Sequence, residues 1–158
     1  MGTDNELAEL EAWIADCCEG EVTDLSRGIV RREAYLATVR GADGASHRLF
    51  VRAGRDDDIA NRIDVVVGEA RLTELLGEQG LNVARVHGVN AELGAAIYDW
   101  VEGKAEVEDT DPDTQQRLLE QYVEFLGTLH QLDPDAMGVD WMARPSSPED
   151  CALARPRL

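Results

Sequence analysis

Apolar side chains recur at helical spacing in three segments of the chain. In each segment they stand three or four positions apart, the spacing that brings side chains onto one face of an α-helix. The three segments are residues 5–18, 62–79 and 112–131. Gly20 and Gly80 follow the first two segments and Asp133-Pro134 follows the third, and glycine or proline at such a position commonly ends a helix. The pattern therefore predicts three amphipathic helices.

Five shorter stretches have the composition and the alternation of β-strands. They are residues 22–26, 33–40, 47–53, 83–89 and 95–101. Turn residues separate the second stretch from the third (Gly41 to Gly44) and the fourth from the fifth (Glu92 to Gly94), which favours hairpins. The order is helix, three strands, helix, two strands, linker, helix. It predicts an α+β fold whose five-stranded antiparallel sheet is covered on one face by helix 62–79.

The start of the third helix carries a specific signal. Asp111 precedes Pro112, and an acidic N-cap followed by proline in the first turn is typical of a helix start. The acidic residues of this stretch also have the spacing of a calcium loop, but Thr114 stands where that loop requires glycine. Capping by Asp111 explains these residues better than a calcium site.

Charge and composition narrow the possible partners. The 158 residues include 32 acidic and 15 basic side chains, for a formal net charge of −17, which disfavours nucleic acids and anionic membranes. No stretch is long and apolar enough for a membrane span, and the first ten residues are acidic, unlike a secretory signal. Three cysteines (Cys17, Cys18 and Cys151) give neither a disulfide framework nor a zinc motif. We expect a cytoplasmic protein with reduced thiols, whose partners include neither nucleic acid nor a membrane.

Arg52 and Glu69 form the most informative pair of charged residues. Glu69 lies on the apolar stripe of helix 62–79, where an ionised carboxylate needs a partner. Arg52 alternates with Phe50 along the third strand, so both point to the same side of the sheet. An ion pair between them is one interpretation. The other is that Glu69 reaches water and Arg52 is an ordinary surface base, and the pattern alone favours this second interpretation.

Seven short motifs, in their order along residues 20–150, resemble a known family. They are Leu25-Ser-Arg-Gly28, Glu33-Ala-Tyr35, Leu49-Phe-Val-Arg52, Val67-Gly-Glu-Ala-Arg71, Val83-Ala-Arg-Val86, Tyr98-Asp-Trp-Val-Glu-Gly103 and Leu126-Gly-Thr-Leu-His-Gln-Leu-Asp-Pro134. Together they resemble the aminoglycoside phosphotransferase-like small-molecule kinases, which are relatives of the protein kinases. The resemblance implies ATP and Mg²⁺ as cofactors of the intact protein. It also implies transfer of the γ-phosphate to a small-molecule hydroxyl.

The resemblance also implies a division of the chain. An N-terminal helix (1–20) would precede a nucleotide-binding N-lobe (21–101), a hinge and linker (102–111) and the truncated start of a helical C-lobe (112–158).

Six residues take nucleotide-binding roles by this resemblance. Gly28 would lie in the loop that covers the phosphates, Arg52 would bind them, and Glu69 would hold Arg52. The backbone of the hinge would meet the adenine, through Trp100, Val101 and Glu102.

The chain departs from the family in two places. The phosphate loop, residues 26–30, has one glycine where the family usually has two, and bulky Ile29 and Val30 follow it. The family's His-Gly-Asp catalytic motif is absent. His47 and His130 are followed by Arg48 and Gln131, and His87-Gly88 is followed by Val89 where the motif has aspartate. We therefore assign no catalytic or metal-binding residue and expect this chain, a truncated or split kinase, to be inactive alone.

A non-catalytic alternative stays open. The chain could be an acidic interaction module that retains a kinase-like lobe. In either case helix 112–131 would present an apolar side, and self-association through that side is expected.

Overall fold

The computed structural model of the chain describes residues 4–28, 34–54, 63–103, 107–142 and 146–147. In chain order the elements are helix α1 (Asp4–Cys17), strands β1 (Gly20–Arg27), β2 (Ala34–Gly41) and β3 (Ser46–Ala53), helix α2 (Ile63–Glu78), strands β4 (Val86–Asn90) and β5 (Ala95–Asp99), and helix α3 (Pro112–Leu129). A single 3-10 turn, Val107–Asp109, precedes α3. Of the predicted features, Ile29, Val30, Glu33 and Cys151 lie outside the described residues.

The five strands form one antiparallel sheet in the order β1-β2-β3-β5-β4. This confirms the predicted α+β fold and its five-stranded antiparallel sheet. Strands β4 and β5 are each shorter by two residues than the stretches predicted from sequence, 83–89 and 95–101. Residues 83–85 precede β4 in an irregular path, and the chain leaves the sheet after Asp99. The backbone N–H of Asp99 donates to the carbonyl of Arg85 at 2.9 Å, which is the last bond between these two segments at this end.

Helix α1 covers one face of the sheet. Its Leu10 and Ile14 are buried against alternate residues of β2, β3 and β5, because successive side chains of a strand point to opposite faces. The strand residues of this core are Tyr35, Ala37, Val39, Leu49, Val51, Ala95 and Ile97. The core explains why a 14-residue helix with an acidic outer surface stays folded.

Helix α2 packs on the opposite face. Val66 and Ala70 are fully buried against Ala96 of β5, with Val86 and Tyr98 at the edge of the cluster. This confirms that helix 62–79 covers one face of the sheet. The face also carries every second residue of β3, which includes Arg52.

Two glycines take backbone conformations that the sequence pattern anticipates. Gly80 follows α2 with a φ of 82°, the left-handed conformation that ends helices. Gly94 lies in the turn between β4 and β5 with a φ of 58°, and a Cβ there would collide with Ile63 at the start of α2. The turn therefore has no room for a side chain where α2 begins.

The described residues form two compact units. The first contains the residues up to Gly77 and Asn82–Val101, which include the whole sheet, and the second contains Glu78–Leu81 and the residues from Glu102 onward. In the second unit Asp111 caps α3 as predicted, since its Oδ1 accepts a 2.9 Å hydrogen bond from the N–H of Thr114. Among the described residues, no helix has the length and apolarity that crossing a bilayer requires.

Candidate functional site

A cavity of about 620 Å³ opens on the α2 face of the sheet, within the first unit. Strands β3 and β5, helix α2 and the segment before β4 form its walls. Its lining residues are Phe50, Arg52, Glu69, Leu72, Thr73, Leu76, Val83, Ala84, Tyr98, Asp99, Trp100 and Val101. The walls are mostly apolar, and one cation and two carboxylates are set into them.

Arg52 is the buried charge of this cavity. It is 5% exposed, and its Nη2 lies 3.4 Å from Oε2 of Glu69 on α2. Because side chains alternate along β3, Arg52 points to the face on which α2 packs. Glu69 lies on the side of α2 that faces Arg52. The predicted ion pair is therefore present. The interpretation that the pattern alone favoured is wrong for Arg52, which is not a surface arginine, but Glu69 does reach water, since its side chain is 39% exposed. Burial makes a carboxylate partner necessary, because a buried cation without one is costly.

Phe50 and Tyr98 form an aromatic wall beside Arg52. They are directly opposite each other on β3 and β5, with ring centroids 6.4 Å apart and planes tilted by 46°. Burial, as the largest cause, and the charge of Glu69 together raise the pKa of Tyr98 to about 12, and the charge of Arg52 opposes both. The raised pKa indicates a poorly hydrated environment. A flat apolar group can pack against these rings next to a positive charge.

The cavity rim continues along the chain from Asp99. Trp100 directly follows β5, and the guanidinium carbon of Arg48 lies 4.6 Å from the centre of the indole ring. Val101 comes next and its side chain is 68% exposed. The rim therefore consists of the stacked pair of Arg48 and Trp100, followed by the exposed Val101.

The cavity brings together four of the six residues proposed from sequence. Arg52, Glu69, Trp100 and Val101 all line it. Gly28 and Glu102 are not among the lining residues. The N–H of Gly28 donates to the carbonyl of Ala34 at 2.8 Å, so it extends the pairing between β1 and β2. Glu102 belongs to the second unit.

Several lining residues had no predicted functional role. The apolar part of the wall consists of Leu72, Leu76, Val83 and Ala84, together with the two rings of Phe50 and Tyr98. The sequence did place these residues on the right faces. Leu72 and Leu76 lie on the same side of α2 as Glu69, and Phe50 lies on the same side of β3 as Arg52. A stripe of apolar residues does not distinguish a cavity wall from a filled core, however, because both need the same side chains.

The described residues contain no cluster of three metal-ligating side chains. Within 4–28, 34–54, 63–103, 107–142 and 146–147, no three His, Cys, Asp or Glu side chains gather closely enough to hold a metal ion. Asp99 and Glu69 both line the cavity, but Glu69 is engaged with Arg52.

Comparison with known proteins supports the resemblance of the motifs. No curated protein and no solved structure gives a significant match to the chain. A model of the phosphotransferase enzyme family, however, matches residues 23–158, which is most of the chain and includes every residue that lines the cavity. Together with the antiparallel sheet and its α2-side cavity, this match shows that the chain belongs to the phosphotransferase enzyme family.

Proposed function

We propose that the first unit is the nucleotide-binding lobe of an ATP-dependent phosphotransferase that acts on the hydroxyl of a small molecule. The observation that carries the proposal is the position of Arg52. It is a buried cation held by Glu69 in a mostly apolar cavity whose lining contains three aromatic side chains, Phe50, Tyr98 and Trp100. Such a cavity suits a ligand with a flat aromatic base and an anionic tail.

The polyphosphate is proposed to reach Arg52. Guanidinium groups bind phosphate oxygens in a bidentate manner, and low hydration strengthens the attraction. Glu69 holds the guanidinium in place and offsets part of its burial cost before the nucleotide arrives. Gly28, whose N–H pairs with the carbonyl of Ala34 at the end of β1, would approach the phosphates by the role that the family resemblance gives it.

The base is proposed to lie between the aromatic wall and the segment after β5. Phe50 and Tyr98 offer ring surface, and the backbone of Trp100 and Val101, which both line the cavity, offers N–H and C=O groups for the edge of the base, with Glu102 next along the chain. Side chains select little between bases here, so the backbone would carry most of the specificity for adenine.

Binding without turnover is the activity we propose for the 158-residue chain itself. It contains no His-Gly-Asp motif, and the described residues gather no metal-binding cluster. Loss of a general base and of electrostatic stabilisation each lowers a rate by roughly 10²- to 10⁴-fold. Family membership supports Mg²⁺ as a cofactor of phosphate transfer, and dependence on ATP supports a cytoplasmic location.

Titration calorimetry with ATP tests the nucleotide proposal. We expect the wild-type chain to bind ATP and Arg52→Met to lose at least tenfold in affinity, since a charge-assisted phosphate contact is removed. Arg40→Met is the matched control, because Arg40 is an exposed arginine of the same sheet and lies outside the cavity. Absence of binding by the wild type, or equal binding by Arg52→Met, would contradict the proposal.

A separate turnover assay examines the inactivity of the chain. ADP release is measured with a panel of aminoglycosides, choline and hydroxylated metabolites. We expect none above background, and turnover with any acceptor would contradict the binding-only activity.

The non-catalytic interaction module is the second candidate, and one observation favours it. Helix α3 presents four large apolar side chains that are at least 40% exposed, namely Leu118, Leu119, Tyr122 and Val123. Exposed apolar faces of this kind commonly mark contact with another protein surface. A chain that binds no ATP but associates through α3 would favour this candidate over the nucleotide-binding lobe.

A further inference from the structure

We propose that His87 and Arg48 are positioning residues that hold Asp99 and Trp100, the point where the chain leaves β5 and enters the cavity rim. The inference deepens the proposed function and rests on it for its effect on nucleotide affinity. Its structural part, that two neighbouring strands fix the start of the rim segment, can be measured in the ligand-free protein.

The first contact comes from β4. Nε2 of His87 lies 2.6 Å from Oδ1 of Asp99, within hydrogen-bond distance. The pairing of β4 with β5 is irregular between Val86 and Gly88, so His87 lies at a bulge. Bulges redirect side chains at the ends of strands, and here the imidazole reaches the last residue of β5.

Hydrogen bonds to backbone groups also hold Asp99 and His87. The N–H of Asp99 donates to the carbonyl of Arg85 at 2.9 Å, and the thiol of Cys17 donates to the carbonyl of His87 at 3.4 Å. Gly88 allows α1 to come this close, because a Cβ there would collide with the sulfur of Cys17. The bulge is therefore fixed from the α1 side while its imidazole holds Asp99.

The second contact comes from β3. In the register that pairs Leu49 with Asp99, the next position on each strand is Arg48 and Trp100. The guanidinium carbon lies 4.6 Å from the centre of the indole ring, a cation–π distance. Arg48 thus continues the cross-strand contact one residue beyond the end of β5.

The two contacts act on successive residues of the chain, Asp99 and Trp100. Both residues line the cavity, and each is held by a side chain of a different neighbouring strand. With both held, the rim backbone is ordered before a ligand arrives. Ordering a segment on binding lowers affinity, and ordering it beforehand avoids that loss.

The decisive variants differ in one hydrogen-bond donor. His87→Leu removes the donor to Asp99 and keeps a bulky side chain, whereas His87→Gln places an amide N–H where Nε2 stood. The matched control is His47→Leu, since His47 is an exposed histidine of the same sheet, outside the cavity lining. Arg48→Met and Arg48→Lys make the corresponding comparison for the indole ring, with Lys retaining the cation.

Two readouts are taken on the full chain. One is the ATP affinity by calorimetry. The other is the indole N–H resonance of Trp100 in the ligand-free protein, assigned with Trp100→Phe. We expect His87→Leu and Arg48→Met each to weaken ATP binding by roughly three- to tenfold and to move or broaden the indole resonance. His87→Gln, Arg48→Lys and His47→Leu should remain close to the wild type, and the unfolding midpoints should change little.

Distinct results overturn the inference and the proposed function. Unchanged ATP affinity and an unmoved indole resonance in His87→Leu and Arg48→Met would overturn the positioning roles. Equal loss in His87→Leu and His87→Gln would do the same, because the donor would then be irrelevant. If the wild type binds no ATP, the proposed function falls. The indole resonance then decides the positioning roles alone, and displacement in His87→Leu but not in His87→Gln supports them.

Discussion

The guanidinium of Arg52 lies 3.4 Å from the carboxylate of Glu69 (the inner pair), and the same distance separates Arg40 of β2 from Glu21 of the edge strand β1 (the outer pair). The surroundings of the two pairs differ. The Arg52 side chain is 6% exposed, whereas Arg40 and Glu21 are 54% and 71% exposed. Water screens the outer pair and competes for its charges, but it reaches the inner pair only from the Glu69 side. Two ion pairs of equal length should therefore contribute very differently to stability.

A double-mutant cycle measures that difference. We expect Glu69→Gln to lower the free energy of unfolding by about 1–2 kcal/mol, since it removes the carboxylate charge that compensates the buried guanidinium of Arg52. The partial exposure of Glu69 keeps the loss below that of a fully buried pair. With Arg52→Met and the double variant, urea unfolding should give a coupling energy of about 1 kcal/mol.

The outer pair provides the matched cycle. Arg40→Met and Glu21→Gln, alone and together, should give a coupling energy of about 0–0.5 kcal/mol. A coupling in the outer pair as large as that in the inner pair would show that burial of Arg52 is not the cause.

The sequence predicted the elements well because their causes are local. Helical spacing, a glycine after a helix and a proline beside an acidic N-cap act within a few residues. All three helices and five strands occur, with ends that shift by at most three residues. The pattern predicts residues 83–85 as the start of a strand, but β4 begins only at Val86. Val83 and Ala84 line the cavity instead.

The site was less predictable because it depends on long-range register. The pattern showed that Arg52 and Phe50 share a face, but burial of Arg52 depends on where α2 lies, and that is a tertiary property. The pairing of His87 with Asp99 depends on a bulge. Gly88 is a local signal for one, but it does not show which residue the redirected side chain reaches. Only the family resemblance brought Trp100 and Val101 into the predicted site.

The contact between Gly88 and Cys17 leads to a second prediction. Gly88→Ala should lower the free energy of unfolding by about 1–3 kcal/mol, because its Cβ would collide with the sulfur at the end of α1. Cys17→Ala removes that sulfur, so the double variant should recover most of the loss. Chemical unfolding of the two single variants and the double variant measures this.

An unconstrained glycine serves as the control for that substitution. Gly127 lies inside α3, and a Cβ added there would meet no atom of another element within 4 Å. Gly127→Ala should therefore stabilise the helix by about 0.5–1 kcal/mol. If Gly88→Ala is neutral, or if Cys17→Ala fails to relieve it, the close approach of α1 to β4 is not as described.

The alkaline titration of Tyr98 reports on the charges around it. Its pKa is raised to about 12, first by burial and then by the charge of Glu69. Since this folded-state pKa lies above the unfolded value of about 10, the stability from Tyr98 is fully present below pH 10. It is lost as the pH rises toward 12, where the folded protein must release the proton.

Ultraviolet absorbance of the phenolate follows this ionisation, with Tyr98→Phe subtracted to isolate the residue. Glu69→Gln should lower the pKa of Tyr98 because a negative charge is removed, and Arg52→Met should raise it. Shifts in the opposite directions, or a Tyr98 that ionises near pH 10, would mean that the cavity is more hydrated than its lining suggests.

The exposed face of α3 leads to the last prediction, which concerns self-association. Leu119, Tyr122 and Val123 are 57–59% exposed on one side of the helix, and burying them against another copy would remove apolar surface from water. The net charge of −17 opposes the approach of two copies, and salt screens that repulsion. Sedimentation velocity should therefore show association that increases with salt concentration.

Leu119→Gln combined with Val123→Gln should abolish this association without loss of helix, since glutamine is a good helix former. Val89→Gln, at a partly exposed valine of β4, is the control and should associate as the wild type does. Association that persists in the α3 double variant would place the contact elsewhere. A chain that stays monomeric at every salt concentration would show that this apolar face does not bind a second copy.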